Sequence, residues 1–251
     1  MFNLYLKDIE QSDLANELVK VTEKIIITNE IPDSSSIYLQ LDKFGLAIIT
    51  PNFSPIYIKD IYSKINSRIK FKDELLIQAI NMKVSANPLI FDLTAGFGKD
   101  AAILANYGYN LIMIERNYIL ATILFYALKV GLIPKEKITL LYEDSFNFMQ
   151  KYSGKKPNII YIDPMFEQKT SSLSKKEIQL IQILTKADDN NNELLFKLSL
   201  KFVNNKLIIK RDNKQENLVI SPLPSYSKRG KTIRYDIYIP RPIPTTSAQP
   251  L

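Results

Sequence analysis

The sequence predicts an α/β protein built on a mostly parallel sheet, and three observations carry that prediction. From residue 86 to residue 240, short apolar runs alternate with helical periodicities, the pattern of strands joined by crossover helices. One of these runs, Leu89-Ile90-Phe91, passes into a helix beginning near Ala101 through Asp92-Leu93-Thr94-Ala95-Gly96-Phe97-Gly98-Lys99-Asp100. Glycine permits positive φ and close approach to the backbone, and the helix N-terminus behind it offers unpaired N–H groups. Finally, acidic residues stand where the apolar runs end, at Asp92, Glu115, Asp144 and Asp163.

Residues 1–85 read as a separate small α/β lobe with a connecting helix. Residues 24–28 are β-rich, and 36–41 and 46–50 alternate as strands, with turns at 29–36 and 51–55. From 59 to 81 the apolar spacing becomes helical. In the larger unit, 86–240, strands are expected at 89–91, 110–114, 137–142, 158–162 and 206–209. Helices are expected after Gly98, at 119–130, at 178–184 and at 194–203. Residues 218–220 and 232–239 read as a closing pair of strands around a Pro/Ser/Lys/Arg loop, and 241–251 as a disordered tail.

Composition narrows the chemistry. The 251 residues, 46% of them hydrophobic, suffice for one large core with an appended lobe. The 33 Lys and Arg against 26 Asp and Glu leave a net charge of +7, compatible with a polyanionic partner. There is no cysteine, which excludes disulfides, thiolate zinc sites and a cysteine nucleophile. There is no histidine, which excludes a Ser-His-Asp triad, histidine metal sites and an imidazole base. Chemistry must then run on carboxylates, lysines, hydroxyls, backbone groups or a cofactor, and no metal is expected. The N-terminal run is too charged for a signal peptide, and no apolar stretch reaches membrane-spanning length. The chain is therefore expected in the cytoplasm, with no membrane partner.

The glycine turn admits two ligand classes. Gly96-Phe97-Gly98-Lys99-Asp100-Ala101 fits the G-x-G-x-x-A dinucleotide fingerprint. The wider pattern, with Asp92 before Gly96 and Gly98, resembles the S-adenosylmethionine (SAM) loop of Rossmann-like methyltransferases. Glu115 stands 17 residues past Gly98 at a strand end, where an acid can accept both ribose hydroxyls of an adenosine. Asp144 or Ser145, after the next strand, is placed to meet the adenine.

A second motif, Asp163-Pro164-Met165-Phe166, follows the fourth strand. It resembles the [DN]-P-P-[YFW] motif of methyltransferases acting on exocyclic amines of bases. An aryl amine is a poor nucleophile because its lone pair is delocalised. Two acceptors aimed at its N–H groups, the Asp163 carboxylate and the Pro164 carbonyl, localise that pair toward a methyl donor. Proline has fixed φ and so helps hold the carbonyl in place. Phe166 offers a stacking face worth about 1–3 kcal/mol. Asp163-Pro164 is also a common turn starter, so the motif gains weight from its place downstream of the glycine loop.

Together the motifs resemble the ribosomal RNA small subunit methyltransferase J family, bacterial enzymes that methylate N2 of a guanosine in 16S rRNA with SAM. The resemblance rests on DLTAGFGKDA (92–101), LIMIERN (111–117), YIDPMF (161–166), KKE (175–177), IIKR (208–211) and RYDIY (234–238). It implies a Rossmann-like fold with a mostly parallel seven-stranded sheet, SAM as cofactor, and 16S rRNA or the small ribosomal subunit as partner. It carries SAM contacts onto Lys99, Asp100, Glu115, Arg116, Asp144, Ser145 and Asp163. Arg116 would either close over the cofactor or face RNA, and Lys175, Lys176, Lys210 and Arg211 become candidates for phosphate contact. The chain departs from the family in lacking a glycine within 69–76 and in carrying Glu167 after the second motif. Three other readings stay open on the residues alone. They are a different nucleic-acid amino-methyltransferase, an NAD-type oxidoreductase, and a non-catalytic RNA-binding assembly factor.

Overall fold

The computed structural model describes residues 1–51, 53–66, 74–164, 180, 184, 192–216 and 221–240. Its strands form two sheets, one of five strands and one of seven.

The first sheet is laid down by the first 57 residues. Strand β1 (Phe2–Leu6) buries Leu4 and Leu6, the alternation of a half-buried strand. It leads through α1 (Ser12–Lys20), which turns Ala15 and Leu18 inward, to the parallel strand β2 (Ile25–Thr28). Strand β3 (Tyr38–Asp42) pairs parallel to β1 and antiparallel to β4 (Gly45–Thr50). Strand β5 (Phe53–Tyr57) completes the order β2-β1-β3-β4-β5. The sequence led us to expect a turn at 51–55. Instead the chain reverses into an edge strand, where Pro55 lacks no ladder bond that a central strand would need. The expected helical region at 59–81 contains α2 (Ile58–Asn66) and α3 (Leu75–Ile80), the latter stopped by Asn81 in the left-handed conformation at φ 45°.

The second sheet holds β6 (Leu89–Asp92), β7 (Asn110–Glu115), β8 (Ile138–Tyr142), β9 (Ile159–Ile162), β10 (Lys206–Asp212), β11 (Tyr226–Arg229) and β12 (Ile233–Tyr238). Their order is β11-β12-β10-β9-β6-β7-β8. The five strands from β8 to β10 are parallel, and β12 and β11 add antiparallel pairings at one edge. The crossovers between parallel strands run through α4 (Lys99–Tyr107), α5 (Tyr118–Lys129), α6 (Ser145–Lys151) and α7 (Asn192–Phe202). The partner of β12 is β11, inside the stretch expected to be loop, while 218–220 lie outside the described residues. Tyr226-Ser227-Lys228-Arg229 is polar because an edge strand has one flank in water.

Alternation sorts the side chains of the central strands onto two faces. Phe91, Ile160, Ile162, Leu207 and Ile209 pack with Phe148 of α6 and Phe196 of α7. Ile90, Ile159, Tyr161 and Ile208 join the apolar residues of α3, α4 and α5. This second cluster does not stop at the sheet: it includes Ile61 and Tyr62 of α2 and Leu4, Leu39 and Ile48 of the first sheet. The Tyr62 hydroxyl donates to the Phe97 carbonyl, so α2 reaches the glycine turn. No helix among the described residues is long and apolar enough to cross a membrane.

Candidate active site

Strand β6 lies between β7 and β9, so the chain leaves it for one neighbour first and returns to the other later. Such a switch point opens a crevice at the carboxyl ends of the strands, where ligands of open α/β sheets bind. The two motifs meet there, one at the end of β6 and one at the end of β9.

The two glycines of the turn differ in purpose. Both have positive φ, 56° at Gly96 and 66° at Gly98. A β-carbon on Gly98 would lie 2.6 Å from Leu124 Cδ2, so Gly98 lets α4 start against α5. A β-carbon on Gly96 would find the Thr94 carbonyl oxygen at 3.9 Å and nothing nearer, so its face is open toward the crevice. The Gly96 N–H donates to Glu115 Oε2 at 2.7 Å, and the Asn117 N–H donates to Glu115 Oε1 at 2.8 Å. Glu115 is thus buried and fixed at the end of β7 by two backbone donors. Asn117 then caps α5, accepting from Ile119 N at 3.0 Å and Leu120 N at 3.1 Å.

Around the rim, Asp144 caps α6 by accepting from Asn147 N at 3.0 Å, and its other oxygen lies 3.7 Å from Arg116 Nη1. Both side chains are over a third exposed, so this pair orients more than it stabilises. Ser145 is buried, with its hydroxyl donating to the Leu93 carbonyl. Lys99 opens α4. Asp92 is buried beneath the loop, accepting from Thr94 N at 3.1 Å. Burial pushes its carboxyl up to about 8, and the nearby Asp100, Asp163 and Glu115 act in the same direction.

At the end of β9 the Asp163 N–H donates to Thr94 Oγ1 at 2.6 Å, which ties the two motifs together. Asp163 Oδ2 accepts from Lys210 Nζ at 3.0 Å. The same ammonium donates to Asp100 Oδ2 at 2.8 Å, and Asp100 also accepts from the Tyr161 hydroxyl at 2.5 Å. Burial disfavours the Lys210 charge, but Asp100 and Asp163 outweigh it and hold the ammonium well above the ordinary lysine value. Burial also opposes ionisation of Asp100, yet Lys210, Tyr161 and Lys99 keep its carboxyl below the ordinary value. Asp163 is pushed above it by burial, against the pull of Lys210 and with the push of Asp100.

Two basic residues expected on a phosphate-facing surface stand elsewhere. Lys210 has only 18% of its side chain exposed and lies between two carboxylates. Arg211, on the opposite face of β10, is buried and donates to the Glu216 carbonyl. Phe166, Lys175 and Lys176 lie outside the described residues. Thr94, Asn117 and Tyr161 join the site beyond the residues that sequence reasoning identifies. Thr94 and Tyr161 lie within the two motifs, and the signal for them is that each motif places a hydroxyl two residues from an acid.

The sequence profile of the SAM_MT family of SAM-dependent methyltransferases matches residues 21–240. Ribosomal RNA small subunit methyltransferase J of Coxiella burnetii (strain Dugway 5J108-111) is 34% identical over 196 residues, covering 75% of this chain and 76% of that protein. The chain belongs to this family of SAM-dependent methyltransferases. The enzyme of the same name in Legionella pneumophila (strain Paris) is 42% identical over 157 residues, 61% of this chain and 63% of its own length, just under two thirds. The fold agrees with a crystal structure of a SAM-dependent methyltransferase from Neisseria gonorrhoeae, with a TM-score of 0.72, 21% identity and coverage of 96% and 97% of the two chains. Membership decides between the two ligand readings of the glycine turn in favour of SAM. The residues of this methyltransferase site fit that cofactor. The open face of Gly96 admits a ligand against backbone, Glu115 is a fixed acid, and the turn offers no lysine-lined phosphate cradle beyond Lys99.

Proposed function

We propose that the chain transfers the methyl group of SAM to the exocyclic N2 amine of a guanosine in 16S rRNA, acting in the cytoplasm on the small subunit or its RNA. The observation that carries this reading is Asp163-Pro164 at the end of β9, with its backbone fastened to the glycine turn through Thr94. The names of the Coxiella and Legionella relatives support an rRNA substrate.

Asp92, Gly96, Gly98, Lys99, Asp100, Glu115, Arg116, Asp144, Ser145 and Asp163 are the residues assigned to hold SAM. When bound, SAM supplies an activated methyl group on a positively charged sulfur. Asp163 accepts from one amine N–H through its carboxylate, and Pro164 accepts from the other through its carbonyl. Hydrogen bonds to a charged acceptor contribute about 1.5–3 kcal/mol each, so most of the acceleration comes from holding amine and methyl in line. The methyl–sulfur bond would break as the N–C bond forms, releasing neutral S-adenosylhomocysteine, and the proton shed by the amine would pass to the Asp163 carboxylate. A paired base must first be flipped out, at a cost of a few kcal/mol.

The test is transfer of labelled methyl from SAM to unmodified 16S rRNA, naked and within small subunits, followed by nucleoside digestion. Label in N2-methylguanosine is expected, and label in another nucleoside overturns the assignment. Asp163→Ala is expected to abolish transfer while part of the SAM binding survives. Full activity in that variant removes Asp163 from the mechanism.

A further inference from the structure

Lys210 was expected to meet phosphate from the surface, and it lies inside the site. On β10 it follows Ile209, which is in register with Ile162, so its backbone stands level with Asp163 on the neighbouring strand. Across the other ladder it pairs with Tyr235 of β12. Its ammonium reaches Asp163 Oδ2 at 3.0 Å and Asp100 Oδ2 at 2.8 Å, and Asp100 is braced from behind by the Tyr161 hydroxyl. Three elements, β9, β10 and α4, therefore converge on one cation that is largely shielded from water.

We propose that Lys210 is a positioning residue for methyl transfer: bridging Asp100 and Asp163, it fixes the Asp163 carboxylate as a hydrogen-bond acceptor with Oδ1 turned to the amine. This rests on the role given to Asp163 above. Asp100, assigned to the cofactor by resemblance, gains a second duty as the anchor that keeps Lys210 in place.

The chemistry requires such a counter-ion. Asp163 must be a carboxylate to accept from an amine N–H, because a protonated acid would present a donor to a donor. Burial and the Asp100 carboxylate on α4 work against its ionisation. Asp92 at the end of β6 is kept protonated by its own burial, and the buried phenols Tyr161 and Tyr235 bring no positive charge. Lys99 on α4 and Glu74 at the start of α3 act on Asp100 and Tyr235. Lys210 is the cation in contact with Asp163 among the described residues. A salt bridge buried to this degree also holds direction, because one ammonium shared by two fixed carboxylates leaves each of them little freedom to rotate.

The test compares Lys210→Met, which keeps length without charge, with Lys210→Arg, which keeps charge. The Asp163 carboxyl is followed by carbon NMR in aspartate-labelled, cofactor-free protein, with Asp163→Asn used for assignment. An opposite charge within contact typically moves a carboxyl by about 1–3 pH units, so its titration midpoint is expected to rise by at least about one unit in Lys210→Met. It is expected to stay near the wild-type value in Lys210→Arg. The acidic limb of kcat for methyl transfer should move with it in Lys210→Met and stay in place in Lys210→Arg. An unmoved midpoint in Lys210→Met overturns the proposal, as does a rate loss equal at every pH. If wild-type protein methylates no rRNA but the midpoint moves as stated, the functional reading fails and the electrostatic role of Lys210 stands. Should Lys210→Met fail to fold, Lys210→Gln gives the same neutralisation with a polar head.

Discussion

The Asp163 backbone N–H donates to the Thr94 hydroxyl at 2.6 Å, and this bond joins the strand that ends in the glycine turn to the strand that ends in Asp163-Pro164. The two residues are 69 positions apart in sequence, yet their bond fixes the spacing between the two motifs. Thr94→Val keeps the shape and removes the acceptor. An unsatisfied backbone donor costs about 1–3 kcal/mol, which a urea titration reads as a lowered midpoint. Methyl transfer should fall further than cofactor affinity, and Thr94→Ser should restore both.

The glycines separate folding from binding. Gly98→Ala combines a left-handed conformation, costing roughly 1–2 kcal/mol, with overpacking against Leu124 of about 1–3 kcal/mol. Gly96→Ala carries only the conformational cost, since the added carbon meets only the Thr94 carbonyl oxygen, at an ordinary contact distance of 3.9 Å. Thermal unfolding should therefore show the larger loss for Gly98→Ala. Calorimetric titration with SAM should show the larger loss of affinity, relative to the loss of stability, for Gly96→Ala.

Asp92 makes stability depend on pH in an unusual direction for a carboxylate. Folded, it keeps its proton up to about 8; unfolded, it loses it near 3.8. Its contribution is therefore greatest in acid and is lost as pH rises through that window. Asp92→Asn retains an acceptor for Thr94 N and has nothing to ionise. Urea unfolding at about pH 5 and about pH 8 should show the variant gaining on the wild type at the higher value. A constant difference between the two would mean that Asp92 is ionised in the folded protein throughout.

Glu115 is held by two backbone donors, and its role in cofactor binding is expected to need the charge as well as the shape. In Glu115→Gln one oxygen becomes an amide NH2, a donor facing the donor N–H of Gly96 or Asn117. Losing a charge-assisted bond worth about 1.5–3 kcal/mol should weaken SAM binding roughly 10- to 100-fold by calorimetry. It should also lower the melting temperature, because the Gly96 or Asn117 N–H loses its acceptor.

What could be seen in the sequence was periodic or punctuated. The central strands are near-continuous apolar runs ending in acids, and the helix after Gly98 follows from its glycines. Strand β5 escaped notice because Pro55 and the short reversal before it read as a turn, and β11 because its residues are those of a wet edge. The misplacement of Lys210 has a different cause. A lysine at the end of an apolar strand looks solvated unless its partner is known, and Asp100 lies 110 residues away. Arg211 followed the same logic, since the alternation of β10 sends it to the other face and into the interior.

The apolar cluster that contains Leu4, Ile61, Tyr62, Ala101, Leu104 and Leu124 draws on elements of both sheets. Tyr62 adds its hydroxyl bond to the cofactor turn at the same junction. The lobe thus serves as the missing wall of the catalytic half. Cut away, it would strip α4 and α5 of their cover and leave the glycine turn hanging from an oily, water-exposed flank. Solvation ties the two halves together, since loss of either would wet apolar side chains of the other.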